Sequence, residues 1–513
     1  MKKYILLLTP AYLMMLIGCT GPKETPDVPV VPDEPEVPTV IGDDPVITDS
    51  EEYSTFWNPN TNLSINITMS QEAADFINQY QYNHDDSTYF DYYVPCNVTI
   101  TMNSQQYTFE EVGIRQKGNM SRRHSLIDNN LSLDSLIHYK LSFKETFDDE
   151  EYTTISALNS FARVWEDSTA RKERKNRTLF DMEKIDIKWN RNNDLSKSKQ
   201  SYALKQFRTH GVLAGHDTLA NTTIGISGKT PINTTYEILE CIDSVFVKRH
   251  FSEELADGDL YKCCYTDRGP ANMSSNYEIG DEIGVEKNAE NYHPVYDLKT
   301  NKKKNTTHTN LYKLFEVVNN KTLLASQFKT KLEEVLDVKS FMMYESIAFL
   351  LGNFDDMRNN ANNYYLYFTS GENPIAYVIP YDFDRCLGTG CEGRQEYMTN
   401  FSAESTKMQC NGSWQTMNIY WRTICTSSDA NSQHQNVQRV EAYRAMYQKN
   451  IEDLLNNGDF STTSFTSYVN SFPQGYRGQA DGAGNDNISF AEYLGRKISK
   501  IKECNPSYDI KVS

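Results

Sequence analysis

Beyond its N-terminus the 513-residue chain has no run of 18 or more uncharged apolar residues, so its body is not expected to cross a membrane as a helix. It has no CxxC or HExxH motif and its nine histidines are scattered, which argues against a zinc site. Ten cysteines are too few for a disulfide scaffold of this length. No long Lys/Arg run occurs, and 51 basic against 69 acidic side chains leave a net charge of −18, so nucleic acid is not an expected partner. No internal repeat is visible, and no low-complexity block follows residue 52. What is present, 39% hydrophobic and 23% charged residues, suffices for a real core in a soluble, acidic, globular protein.

The N-terminus reads as an address. Lys2 and Lys3 precede an apolar run from Tyr4 to Ile17, too short for a bilayer but right for a signal sequence. The run ends in Leu16-Ile17-Gly18-Cys19, which looks like a bacterial lipobox. A signal peptide over 1–18 and lipidation at Cys19 are therefore expected. Residues 19–52 read as a tether: seven of the 17 prolines lie between Pro22 and Pro45, and ten acids face the single Lys23. Such a tract buries too little to fold and stays extended. It carries half of the net charge. The expected location is lipid-anchored at a bacterial cell membrane or surface, outside the cytoplasm. Disulfides become possible there, with Cys386/Cys391 and Cys410/Cys425 as local pairs, and with Cys241, Cys263 and Cys264 either bridged or buried thiols.

The body, 53–505, begins with a β-rich part. Leu63–Met69 alternates, a helix is expected over 70–81, and strands over 94–102, 106–109, 112–116 and 138–143. Residues 165–210 are polar and helical in pieces, with Arg171–Arg177 a solvated helix face. Strands return at 221–226, 235–240 and 259–262. The clearest helix is 338–351, capped by Asp337 and stopped by Gly352. Residues 436–505 read as helices broken by a Gly/Pro-rich stretch at 472–484, with 506–513 a tail.

After Gly352 the chain runs through Asp355 and Asp356 to Asn363, into a hairpin whose turn lies at 370–373, and out at Tyr381-Asp382-Phe383-Asp384. Counting from the turn brings Asn363 and Asp382 to the same end of two strands about 5 Å apart. Amide and carboxylate oxygens there, with phosphates, suit Mg²⁺, and Asp355 would hang nearby as proton acceptor. In kinases a loop Asp, a loop Asn and an Asp after a hairpin follow in that order. Loops also favour Asp and Asn for conformational reasons alone. Two N-terminal features fit a nucleotide: the loop Gly113–Arg123, whose Arg115, Lys117, Gly118 and Ser121 suit phosphate oxygens, and Lys140, which Tyr139, Leu141 and Phe143 force onto the opposite face of its strand.

These segments resemble the CotH kinase family, named for spore-coat protein H. The resemblance rests on Gly113–Ser121, Tyr139–Phe143, Tyr236–Phe246 with Glu240, Gly258–Lys262, Leu351–Asp355, Asn363–Tyr367 and Ile379–Asp384, in that order. It implies an α+β, atypical protein-kinase-like, two-lobed fold, with a β-rich N-lobe over about 60–245 and a mixed, helical C-lobe over about 246–505. It also implies ATP with Mg²⁺ or Mn²⁺, and protein Ser/Thr hydroxyls as acceptors outside the cytoplasm. By position, Asp355 is similar to the catalytic Asp, and Asn363 and Asp382 to the metal-binding pair, with Asp384 in support. Glu240 and either Lys140 or Lys262 are the further nucleotide candidates. Three departures stand out. Tyr381 replaces a usual Trp, 168–197 looks like an insertion, and the eight-residue step from Asp355 to Asn363 leaves Asp356 as an alternative acid. A non-catalytic surface adhesin on the same fold is the competing expectation.

Overall fold

A computed structural model describes residues 40–80, 90–118, 121–122, 136–390, 399–405, 417–425, 437–485 and 487–512. The chain divides into Met1–Glu34 and Pro35–Ser513. The first of these, with the expected signal sequence and Cys19, lies outside the described residues, as do Asn119, Met120, Arg123, Cys391 and Cys410.

Seven strands form the first sheet: β1 Leu63–Met69, β2 Val94–Met102, β3 Gln105–Gln116, β4 Tyr139–Ser142, β5 Lys184–Lys188, β6 Asp217–Ile226 and β7 Ile232–Glu240. Their order is β1-β2-β3-β4-β5-β7-β6, and parallel pairing of β6 with β1 closes it into a barrel. Alternate residues fill the interior, among them Ile65, Ile67, Val98, Ile100, Ile114, Leu141, Ile185, Ile187 and Ile238. The two expected strands at 106–109 and 112–116 are one strand. It bends at a bulge opposite Cys96–Val98, where Glu111 adopts φ 48° and donates its N–H to Asn97 Oδ1.

The second sheet, β8 Asp259–Cys263, β9 Ile283–Gly284, β10 Tyr296–Leu298, β11 Tyr364–Phe368 and β12 Ala376–Pro380, runs β12-β11-β8-β10-β9. Helices Val338–Leu351, Glu441–Asn456, Thr462–Ser471 and Phe490–Cys504 contribute to the larger core beside it. Asp337 caps the first of these by accepting from Ser340 N, and Gly352 ends it at φ 60°.

The mixed α+β class is as expected, and the barrel spans the part expected as an N-lobe. The two-lobed kinase arrangement is not what forms, because closure by β6 removes both free edges of the first sheet. The stretch 168–197 is not an appendage to the fold: it contains β5, which lies between β4 and β7 in the barrel. Its basic run is a solvated helix face as expected: the helix Ser168–Lys175 buries no residue and leaves Lys172, Glu173 and Lys175 exposed, while Arg171 pairs with Asp148, Arg174 with Glu111 at 2.9 Å, and Arg177 donates to the carbonyls of Phe143, Glu110 and Glu111.

The tether also ends earlier than residue 52. Ile41 and Pro45 bridge to Phe251 and Ser252, Asp49 pairs with buried Arg249, and Ser50 caps the helix Glu51–Trp57. Specific partners for Asp49 and Ser50 outweigh the disorder that their composition suggests. Among the described cysteines, Cys96, Cys241, Cys263, Cys264, Cys386 and Cys504 are free thiols. No described helix is long and apolar enough to cross a membrane.

Candidate active site

The loop after Val338–Leu351 and the β11–β12 hairpin meet as the spacing requires. Tyr364 pairs with Pro380, and Tyr381 N donates to Asn363 O, so Asn363 and Asp382 leave the hairpin at one end. Both adopt left-handed backbone, φ 56° and 58°, which Asn and Asp tolerate better than most side chains. Asn353 ties the two segments: its amide nitrogen donates to Asp382 O at 3.2 Å, and its oxygen accepts from Asp355 N at 3.1 Å.

The two candidate acids separate clearly. Asp356 is fully buried and caps the turn Met357–Asn360, accepting from Asn359 N at 2.9 Å; burial pushes its carboxyl up to about 7. It positions the loop. Asp355 is half-buried and accepts from the amides of Asn360 at 2.6 Å, Asn362 at 3.1 Å and Asn363 at 3.2 Å. Burial raises its carboxyl, against those amides and the charge of Arg385, and the nearby Asp382 charge adds to the rise. A raised carboxyl beside an acidic partner is suited to taking a proton.

The outer face of the barrel supplies the cations. Alternation sends Tyr139 and Leu141 into the core and leaves Lys140 outside, opposite Asp186 of β5. Lys140 and Lys117 both pair with Asp186 at 2.8 Å. Burial alone would raise the Asp186 carboxyl, yet these two lysines hold it well below the usual carboxylate range. Two residues along β5, Lys188 pairs with both Asp382 and Asp384, the latter at 3.0 Å. Burial works against the Asp382 charge too, but Lys188 and Lys117 outweigh it and hold that carboxyl low. Two cations approach the Tyr381 ring, with Lys117 Nζ at 5.1 Å and Lys262 Nζ at 5.5 Å from its centroid. Tyrosine at this departure from the family pattern therefore keeps an aromatic platform. Lys262 makes no ion pair among the described residues, which leaves it the lysine most available to an anion.

The described part of the 113–123 loop is less open than expected. Gly118 turns at φ 87°, where a Cβ would meet Ser121 Oγ at 2.2 Å. Ser121 Oγ donates to Lys117 O at 2.9 Å, and Arg122 Nε to Gly118 O at 2.7 Å. Arg115 pairs with Asp91 at 2.7 Å and lies over Tyr93. Of the described basic groups in this loop, Lys117 is the one that joins the carboxylate cluster; Arg115 and Ser121 are committed to partners of their own.

Glu240 is not brought to the cluster. It pairs in register with core residue Ile185, whereas Asp186 faces the other way. Its carboxylate accepts from Tyr53 Oη at 2.8 Å, lies 3.2 Å from His216 Nδ1, and faces Arg249. Burial acts to raise it, but His216, Arg249 and His250 bring it down to about 2. It is therefore a structural anion near the packed end of the tether. A depressed carboxylate stabilises above its unfolded value, near 4.3, and that contribution is lost as pH falls toward about 2. Glu240→Gln is expected to lower stability by roughly 3 kcal/mol at pH 7. The gap in melting temperature between variant and parent should close as pH falls from 5 toward 2; a gap constant over that range would contradict the assignment.

Sequence reasoning did not single out Asp186, Lys188, Gln200 or Asn353. The alternation Lys184-Ile-Asp-Ile-Lys188 is a strand signal that could have found the first two, hidden inside a polar stretch read as inserted. Among the described residues no group of three or more Asp, Glu, His or Cys side chains is placed to hold a metal. The remaining oxygen donors are the Asp382 and Asp384 carboxylates, already convergent on one cation, and the Asn363 amide at the same hairpin end. Hard oxygens of that kind fit Mg²⁺ or Mn²⁺.

An Asp-x-Asp after a hairpin, a neighbouring Asn, a loop Asp and a bank of lysines together make the candidate site, in the residue types that a kinase-like phosphotransferase uses. The model of the CotH kinase protein family matches residues 235–481 of this chain. The match contains Lys262, Asp355, Asn363, Asp382 and Asp384, whereas Arg115, Lys117, Lys140 and Lys188 precede it. Among solved structures, the crystal structure of the Helicobacter pylori proinflammatory kinase CtkA matches at 11% identity and a TM-score of 0.29, covering 63% of this chain and 87% of that chain. No curated protein matches.

Proposed function

We propose that this chain is an atypical kinase that transfers the γ-phosphoryl group of ATP to Ser or Thr hydroxyls of proteins outside the cytoplasm, lipid-anchored through Cys19. The observation that carries the reading is the meeting of Asp355, Asn363 and Asp382 at one hairpin end, against the lysine-bearing outer face of the barrel. Asp382, Asp384 and Asn363 would hold a divalent ion, whose contribution when bound is to neutralise phosphate charge. Lys262 and Lys117, both close to the Tyr381 ring, bind phosphate oxygens. Asp355, steadied by three asparagine amides, accepts the proton of the acceptor hydroxyl. Positioning and charge neutralisation supply most of the catalysis in phosphoryl transfer.

A second reading, a non-catalytic envelope-binding module, is favoured by one observation: Asp186, Asp382 and Asp384 are each already neutralised by lysine. Melting curves with ATP and Mg²⁺ or Mn²⁺ separate the two. The kinase reading expects stabilisation of about 3 kcal/mol at a hundredfold excess of ligand over its Kd, observed as a rise in melting temperature. No shift with nucleotide and either metal supports the binding module. A phosphopeptide survey of envelope proteins with and without this chain then identifies the acceptor.

A further inference from the structure

Asp382 and Asp384 meet at a single atom, Lys188 Nζ. The carboxylate pair assigned above to a divalent ion thus already holds a protein cation. Lys188 is 3% exposed, while the Asp382 and Asp384 side chains are 33% and 24% exposed, so the ammonium is buried and water reaches the pairing from the carboxylate side. It also has partners on its other side. Gln200 Oε1 accepts from Lys188 Nζ at 2.9 Å, and Glu237, opposite Lys188 in the β5–β7 register, accepts from Gln200 Nε2 at 2.8 Å. These three residues and Asp384 line one cleft. The ammonium therefore has somewhere to go that keeps it hydrogen-bonded.

A divalent ion arriving alone must displace the buried ammonium from its carboxylates while two like charges stand side by side in a partly buried site. Arriving with a nucleotide, it brings phosphates that compensate both cations. We propose that Lys188 makes divalent-ion binding at Asp382 and Asp384 conditional on nucleotide: it holds the carboxylates in the free protein and releases them when phosphates enter. Metal and nucleotide binding are then coupled, each strengthening the other by the same factor. Lys188 is a positioning residue in this scheme, and the inference rests on the reading of Asp382 and Asp384 as metal ligands.

The test is Mn²⁺ titration of the full chain, with free Mn²⁺ followed by electron paramagnetic resonance, with and without a non-hydrolysable ATP analogue. The unaltered protein is expected to bind Mn²⁺ at least about tenfold more tightly with the analogue than without it. Lys188→Met should raise nucleotide-free affinity at least about tenfold and shrink that ratio, whereas Lys188→Arg should keep the ratio. Equal Mn²⁺ affinity of the unaltered protein with and without the analogue overturns the inference, and needs no variant to fold. So does a Lys188→Met protein, folded by circular dichroism, that binds no more tightly than its parent. If Asp382→Asn still abolishes Mn²⁺ binding in those cases, the metal assignment stands and the coupling alone is wrong. If Mn²⁺ binds to none of the proteins even with the analogue, both fall.

Discussion

Asp382→Asn is expected to abolish ATP-dependent phosphate transfer, with a loss of at least about a thousandfold, while the protein stays folded. Asparagine is the informative replacement because residue 382 sits at φ 58°. Alanine there would add roughly 1–2 kcal/mol of backbone strain and confuse a catalytic loss with an unfolded one. Asparagine keeps the left-handed conformation and the side-chain shape and removes only the charge. Lys188 then retains Asp384 at 3.0 Å and Gln200 at 2.9 Å, so no buried ammonium is abandoned. The measurements are phosphate transfer to a protein acceptor and a melting curve with ATP and Mn²⁺. Full activity in the folded variant would remove Asp382 from the metal site; retained nucleotide stabilisation without activity would confine its role to chemistry.

The second large effect is at Asp355. Asp355→Asn should lower the rate about 10²- to 10⁴-fold, the usual contribution of a general base, with little change in nucleotide stabilisation. Asp356→Asn should behave differently. Asp356 caps the turn Met357–Asn360 and is wholly buried, so its loss acts on folding and on loop position rather than on the proton. The pair of variants thus decides the acid: a rate loss confined to Asp355→Asn supports the assignment, and a larger loss with intact folding in Asp356→Asn reverses it. The pH profile adds a check. Burial raises the Asp355 carboxyl above the ordinary aspartate value, so the unaltered protein should lose activity on the acid side at a higher pH than a solvent-exposed aspartate would dictate.

Much of this was legible in the chain. The helix at 338–351 showed its cap, stop and buried composition, and the 94–102 strand its alternation, because these signals are local. The hairpin could be counted outward from its turn, since antiparallel register follows from turn length; the pairing of Tyr364 with Pro380 is within one residue of that count. Asp355, Asn363 and Asp382 were found this way. Lys188 was not, and neither was the barrel. β5 is five residues long in a polar stretch, and nothing local says that it lies between β4 and β7.

The same division holds for the charges. Their number and sign, the acidic excess of the N-terminal segment and the basic run at 171–177 are properties of the amino-acid order, set by covalent structure. Which charge meets which was settled by packing. Arg171, Arg174 and Arg177 met Asp148, Glu111 and backbone carbonyls at the surface, Asp49 found Arg249, Glu240 faced the barrel's interior rather than its cleft, and Asp382 and Asp384 met Lys188 from nearly two hundred residues away. A side chain's period along a strand is local, so a sequence can say that Lys140 and Asp186 point away from their apolar neighbours. The object they point toward is another part of the chain, and only closure of the barrel beside the second sheet puts it there.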